Sequence, residues 1–195
     1  MRHWLFHPLL FYPLAALIAV LVVGLSLNPR AWPRQPAPTA GQIVEGALVL
    51  EGEAFTAPGL SPEQHVSVAR DFWGKARSLR IAVLPGQPPP TPAETGVRLL
   101  LAPQAAALMD DKPVTVEVRY NPLPFNAATG LAVSLQGIGP ADWVSAPIPP
   151  QPGVVRFALP AAMAVNAIGL RAISEGQDQA YGLEILRVRV IPQSN

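Results

Sequence analysis

Beyond the first 41 residues the chain holds few side chains able to do bond-breaking chemistry. His65 is the one histidine there and cysteine is absent throughout, which excludes a thiol nucleophile, a thiolate metal site and any disulfide framework. No GxSxG elbow, HExxH pair or Gly-rich phosphate loop occurs. Asp110 and Asp111 are adjacent and run into Lys112-Pro113, so their carboxylates do not face a common substrate. The chain reads as non-catalytic. What remains is recognition chemistry. Trp73, Trp143 and Tyr181 are the aromatics placed to meet a ligand: Trp143 lies among turn residues in GPADWVSAP, and Tyr181 precedes the last strand. The same rings serve equally well as core or sheet-end packing, because they bury large areas and need one polar partner. Arg70, Lys75, Arg77 and Arg80 form a basic cluster that suits an anionic glycan or a headgroup, or, with Asp71 nearby, a solvated face.

These residues must be positioned by strands. In Val114–Tyr120, Val114, Val116, Val118 and Tyr120 share one face, while Thr115, Glu117 and Arg119 share the other. Leu131, Val133 and Leu135 repeat the alternation, as do Val155, Phe157 and Leu159, and Ile168 with Leu170. A strand with one buried and one wet face produces this period of two. Gln42–Leu50 reads as a strand or strand pair interrupted near Gly46, Arg80–Leu84 and Val97–Ala102 as strands, and Gln104–Met109 as a helical turn. Ser61–Glu63 is able to cap a short helix, although His65–Ala69 alternates like a strand. In the last strand, Leu183–Val190, the simple alternation puts Glu184 on one face with Leu186, Val188 and Val190. A carboxylate there has three readings open: a metal ligand, a salt bridge to Arg171 or Arg80, or exposure at a strand end. Eight or nine such segments separated by Gly/Pro turns predict an all-β fold, an antiparallel two-sheet sandwich over 42–195.

The succession GVRLLLAP, DDKPVTVEVRY, LAVSLQG, DWVSAPI, GVVRFALP, IGLRA and YGLEILRVRV resembles the galactose-binding-domain-like jelly roll of many carbohydrate-binding modules. The resemblance covers Gly96–Val190, with Gln42–Leu84 supplying the earlier strands. It implies sugar recognition by aromatic side chains stacked on pyranose rings, with Trp143, Tyr181 and Trp73 as the rings available. It also implies a structural calcium held by Glu184 with an acidic partner from the first strands, either Glu51 or Glu53. Calcium binds several oxygens, backbone carbonyls included.

The N-terminal stretch Trp4–Leu27 contains no Asp, Glu, Lys or Arg. As a helix it would reach roughly 36 Å, enough to span a hydrocarbon layer of about 30 Å with some tilt. It is longer than the apolar run of a cleaved signal peptide, so residues 1–27 read as a short head and retained anchor. Trp4, Phe6, Phe11 and Tyr12 at one end and Trp32 beyond the other suit interfacial belts, and His3 and His7 read as interfacial residues. Arg2 at one end against Arg30 and Arg34 at the other leaves the charge rule nearly tied. A short head before a long tail favours an inner-membrane, single-pass protein with its C-terminal domain in the periplasm. Residues 28–41, with four prolines, read as an extended spacer.

The totals narrow the partners. From Gln42 onward, 11 Lys and Arg face 13 Asp and Glu, so the domain is slightly acidic and carries no basic stripe for nucleic acid. Prolines number 24 of 195, yet half the chain is apolar, which fits a proline-edged β domain rather than disorder. Two functions follow. The first is an accessory or interaction module docked on an envelope protein; the alternative is a carbohydrate-binding module for an envelope glycan. An exposed aromatic in a polar groove favours the glycan, and a broad apolar patch favours the protein.

Overall fold

The computed structural model describes residues 8–26, 41–62, 64–84, 90–174 and 180–193. They fall in two compact units, divided between Gln35 and Pro36. The first contains helix α1, Pro8–Ser26. Its side chains from Phe11 to Val23 are exposed, and no Asp, Glu, Lys or Arg interrupts it. Nineteen residues rise roughly 28 Å, just under the thickness of a hydrocarbon layer. Among the described residues no helix is long and apolar enough to cross a membrane. The expected Trp4–Leu27 span, the flanking arginines, Trp4, Phe6, Trp32 and most of the Pro-rich stretch extend outside the described residues.

The second unit is a sandwich of two antiparallel sheets. One has seven strands: β1 (Gln42–Val44), β2 (Ala47–Glu51), β3 (Gln64–Arg70), β4 (Ala76–Val83), β6 (Val114–Pro122), β9 (Gly153–Leu159) and β11 (Tyr181–Pro192). The other orders β5 (Val97–Leu100), β10 (Ala167–Ile173), β7 (Gly130–Gln136) and β8 (Val144–Pro147). Helix α2 (Pro103–Met109) follows β5, opens with proline in its first turn and buries Ala105 and Met109. Local chemistry explains the hairpins. Between β1 and β2, Glu45 and Gly46 both have positive φ (52° and 76°), the two-residue turn whose twist matches the flanking strands. Strand β3 begins at Gln64, with Val66 and Val68 packed against the core, and Glu63 of the expected helix cap lies outside the described residues.

Strand β11 organises the larger sheet. One of its edges pairs with β6, which in turn pairs with β9. Its other edge is shared: Tyr181–Ile185 pair with β4, and Arg187–Val190 pair with β2. At the handover the register skips Leu186, a β-bulge. The bulge corrects the simple alternation. Leu183 and Ile185 before it, and Val188 and Val190 after it, all enter the core, so Glu184 lies on the outer face and not with Val188 and Val190. One extra residue flips everything beyond it.

The core between the sheets is continuous, built from Leu48, Leu50, Leu79, Ile81, Val116, Val118 and Phe157 on one side and Val97, Leu99, Leu131, Val133, Ile168 and Leu170 on the other. Tyr120 is buried with them and its hydroxyl donates to Pro149 O at 3.1 Å. Burial pushes its phenol above the ordinary value of 10.0. The folded chain thus keeps this proton where the unfolded chain releases it. The stabilisation is fully present below pH 10.0 and is lost as pH rises toward the higher folded value. In an alkaline titration followed by phenolate absorbance, the Tyr120 step should fall above pH 10.0, and Tyr120→Phe should remove it.

Candidate functional site

A groove of about 610 Å³ runs across the outer face of the seven-stranded sheet. It is built by the polar half of the strand alternation: the residues that skip the core on β2, β6 and β11 line up side by side. Arg187 Nε pairs with Glu51 Oε2 at 2.7 Å, directly across the β2–β11 ladder. Glu117 faces Arg189 on one side and Arg156 on the other, with Oε1 2.8 Å from Arg156 Nε and Oε2 3.6 Å from Arg189 Nη1. The exception sits in the middle. Arg119 of β6 lies directly opposite Arg187 of β11, a like-charge cross-strand pair, and is exposed. Such a pair destabilises a sheet. Glu51 and Glu117 set against Arg119, Arg187 and Arg189 leave the groove one charge positive, within a domain that is net negative. Gln42 and Asn121 add amide donors and acceptors, and Val44, Pro152 and Val154 add aliphatic surface.

The aromatics expected to meet a ligand are spread over three places. Trp73 projects from the turn joining β3 and β4, 81% exposed, beside Phe72 at 93%. Tyr181 opens β11 and is partly buried against the core. Trp143 is half-buried on the outer face of the four-stranded sheet, where a Cβ on Gly169 would lie 2.9 Å from its ring and one on Gly96 2.6 Å. None of the three lines the groove.

The acidic residues expected to share a calcium each have another partner. Glu184 Oε1 accepts from Ser78 Oγ at 2.5 Å and pairs with Arg80 Nε at 3.4 Å. Glu51 pairs with Arg187, and Glu53 Oε2 accepts from Thr56 Oγ1 at 3.0 Å. Among the described residues no three His, Asp or Glu side chains converge on one point. Of the readings left open for Glu184, the ion pair with Arg80 is the one observed, and the basic cluster thereby gives up one member.

The outer face of the four-stranded sheet is covered over β7 and β10. Every residue of β7 is buried, and so are all of β10 but Ile173, because the segment 91–96 folds over them. Glu94 is the clamp. Its Oε1 accepts from the Thr91 N–H and hydroxyl, both at 3.2 Å, and its Oε2 meets Arg171 Nη1 at 2.5 Å, a guanidinium 1% exposed. Gln136 Nε2 donates to Thr95 O at 2.5 Å, tying the same segment to β7. The cavity left beside this segment is about 170 Å³, against about 610 Å³ for the groove on the opposite sheet.

The groove escaped the sequence reading although its signal was present. Thr115, Glu117 and Arg119 stood out as the wet face of their strand. What the chain order hides is that β11 brings Arg187 and Arg189 alongside them.

No family model matches the sequence, and no curated protein matches it. Three of the similar solved structures carry the designations CBM1, CBM22 and CBM35, and another is the Bacillus thuringiensis insecticidal crystal protein Cry7Ca1. One is BiXyn10A CBM1 in apo form, 11% identical, covering 70% of this chain and 88% of that one with a TM-score of 0.45. A second is the N-terminal CBM22-1–CBM22-2 tandem domain of Xyn10C from Paenibacillus barcinonensis, 14% identical, covering 84% of this chain and 48% of that one, TM-score 0.43. A third is a GH26-CBM35 β-(1,4)-mannanase from Podospora anserina, 14% identical, covering 78% of this chain and 29% of that one, TM-score 0.37.

Proposed function

We propose that the sandwich is a non-catalytic glycan-binding module, and that the groove over β2, β11 and β6 takes a polysaccharide bearing carboxylate groups. The observation that carries this reading is Arg119, a cation placed against Arg187 in the groove at a cost to the sheet. A ligand carboxylate between the two guanidiniums turns that cost into two charge-assisted hydrogen bonds. The surrounding lining suits a sugar. Gln42, Asn121, Glu51 and Glu117 offer partners for hydroxyls, while Val44, Pro152 and Val154 match the C–H faces of pyranose rings. Sugars are held in this way by many modest hydrogen bonds, so the binding is weak per site and gains from repetition along a polymer.

The charge-free sequence stretch Trp4–Leu27 supports a second part of the reading, in which the module is tethered at a membrane with its C-terminal domain outside the cytoplasm. A reporter active only outside the cytoplasm, fused after Asn195, is expected to be active; an inactive, well-expressed fusion would reverse the orientation.

The direct test of binding is the full chain in detergent, offered neutral and uronic-acid polysaccharides in affinity electrophoresis. Retardation by the acidic polymers, weakened by salt, is the expected result. No retardation by any polymer, together with crosslinking of groove residues to one envelope protein, would replace the glycan with the protein-docking alternative.

A further inference from the structure

We propose that the β3–β4 hairpin tip is a membrane-contact site, which seats Phe72 and Trp73 in the headgroup layer of an anionic lipid surface. The two rings are the most exposed aromatics in this tip and meet edge to face, with centroids 5.3 Å apart and planes at 84°. They do not form a flat platform for a sugar ring; they project from a turn.

The turn itself is built to leave water. Asp71 Oδ1 accepts from the N–H groups of Trp73 and Lys75, both at 2.9 Å. The Asp71 N–H donates to Lys75 O at 2.9 Å and the Gly74 N–H to Asp71 O at 3.0 Å, while Arg70 Nη1 donates to Gly74 O at 2.9 Å. Gly74, at φ +80°, supplies the left-handed conformation that closes the loop. Asp71, Gly74 and Lys75 thus have backbone groups satisfied from within the turn, as does the Trp73 N–H, which lowers the penalty for moving them into a less aqueous layer. A sugar site needs the reverse, donors and acceptors turned outward.

Charge selects the surface. Arg70, Lys75 and Arg77 against Asp71 give residues 70–77 two net positive charges, in a domain that is net negative. Exposed aromatic rings flanked by cations match an interface whose outer layer is anionic and whose next layer is apolar. This inference rests on the hairpin and is independent of the groove and its ligand.

The test uses the full chain reconstituted in phosphatidylcholine vesicles, with or without phosphatidylglycerol, carrying brominated acyl chains. Subtracting the emission of Trp73→Phe from that of the native chain isolates Trp73 from Trp4, Trp32 and Trp143, and an unchanged far-UV circular dichroism spectrum of the variant reports that the fold is intact. In anionic vesicles the difference emission should be blue-shifted and quenched by bromine. Replacing Lys75 and Arg77 by glutamine should weaken docking about fivefold per charge. Difference emission that stays open to aqueous acrylamide and blind to bromine in anionic vesicles would overturn the proposal. Equal quenching in neutral and anionic vesicles would overturn it as a charge-selected contact. Protection by an added soluble polysaccharide in place of lipid would also overturn it and assign the tip to glycan.

Discussion

Glu94→Ala is expected to destabilise the sandwich by about 3–5 kcal/mol, the range for breaking one side of a buried ion pair. The change leaves the Arg171 guanidinium, 1% exposed, without its carboxylate on a face shut off from water. It also frees the Thr91 backbone and hydroxyl, so the segment over β7 and β10 loses its fastening at one point. Two further variants separate the causes. Glu94→Gln can retain acceptor geometry toward Thr91 without the charge, and should fall between alanine and the native chain. Glu94→Leu combined with Arg171→Met removes both charges and should recover much of the loss, since well-packed apolar replacements of buried pairs are often neutral or better. Chemical denaturation followed by near-UV circular dichroism reads all three. A Glu94→Ala chain as stable as the native one would mean that the segment 91–96 is held mainly by Gln136 and the packing of Trp143.

The contrast between this clamp and the core shows what the sequence carried. The alternation of Val114 to Tyr120, Leu131 to Leu135 and Val155 to Leu159 put those side chains in the core, because a period of two is local information. The same rule misplaced Val188 and Val190 relative to Glu184, since the bulge at Leu186 comes from the exchange of partner strands, β4 for β2, which are far away in the chain. Arg171 was legible as a possible partner for Glu184; its actual partner, Glu94, lies in a proline-flanked loop with no periodic signal. Trp143 and Trp73 look alike in sequence, each beside turn residues. One turn folds back over Gly169 and the other projects outward, and only the tertiary path separates them. The groove follows the same logic. Each of its rows is visible strand by strand, while the Arg119–Arg187 pairing depends on which strands become neighbours.

That pairing supports a prediction whose two parts have opposite signs. Arg119→Gln should leave the fold unchanged or stabilise it by about 0.2–1 kcal/mol, because it relieves like charges directly opposite on β6 and β11. The same substitution should weaken binding of uronic-acid polysaccharides roughly 10- to 100-fold, the equivalent of one charge-assisted hydrogen bond within the groove. Glu117→Gln behaves differently: it loses its pairing with Arg156 and Arg189 but keeps a hydrogen-bonding amide for ligand hydroxyls, so it should lower stability somewhat without weakening acidic ligands. Denaturation midpoints and affinity-electrophoresis retardation, measured on the same two variants, place each on both axes. If Arg119→Gln lost stability and left retardation untouched, the arginine would be a packing residue and the groove would need another occupant. Gain of stability with loss of binding is the outcome expected of a cation held in place for a ligand's anion.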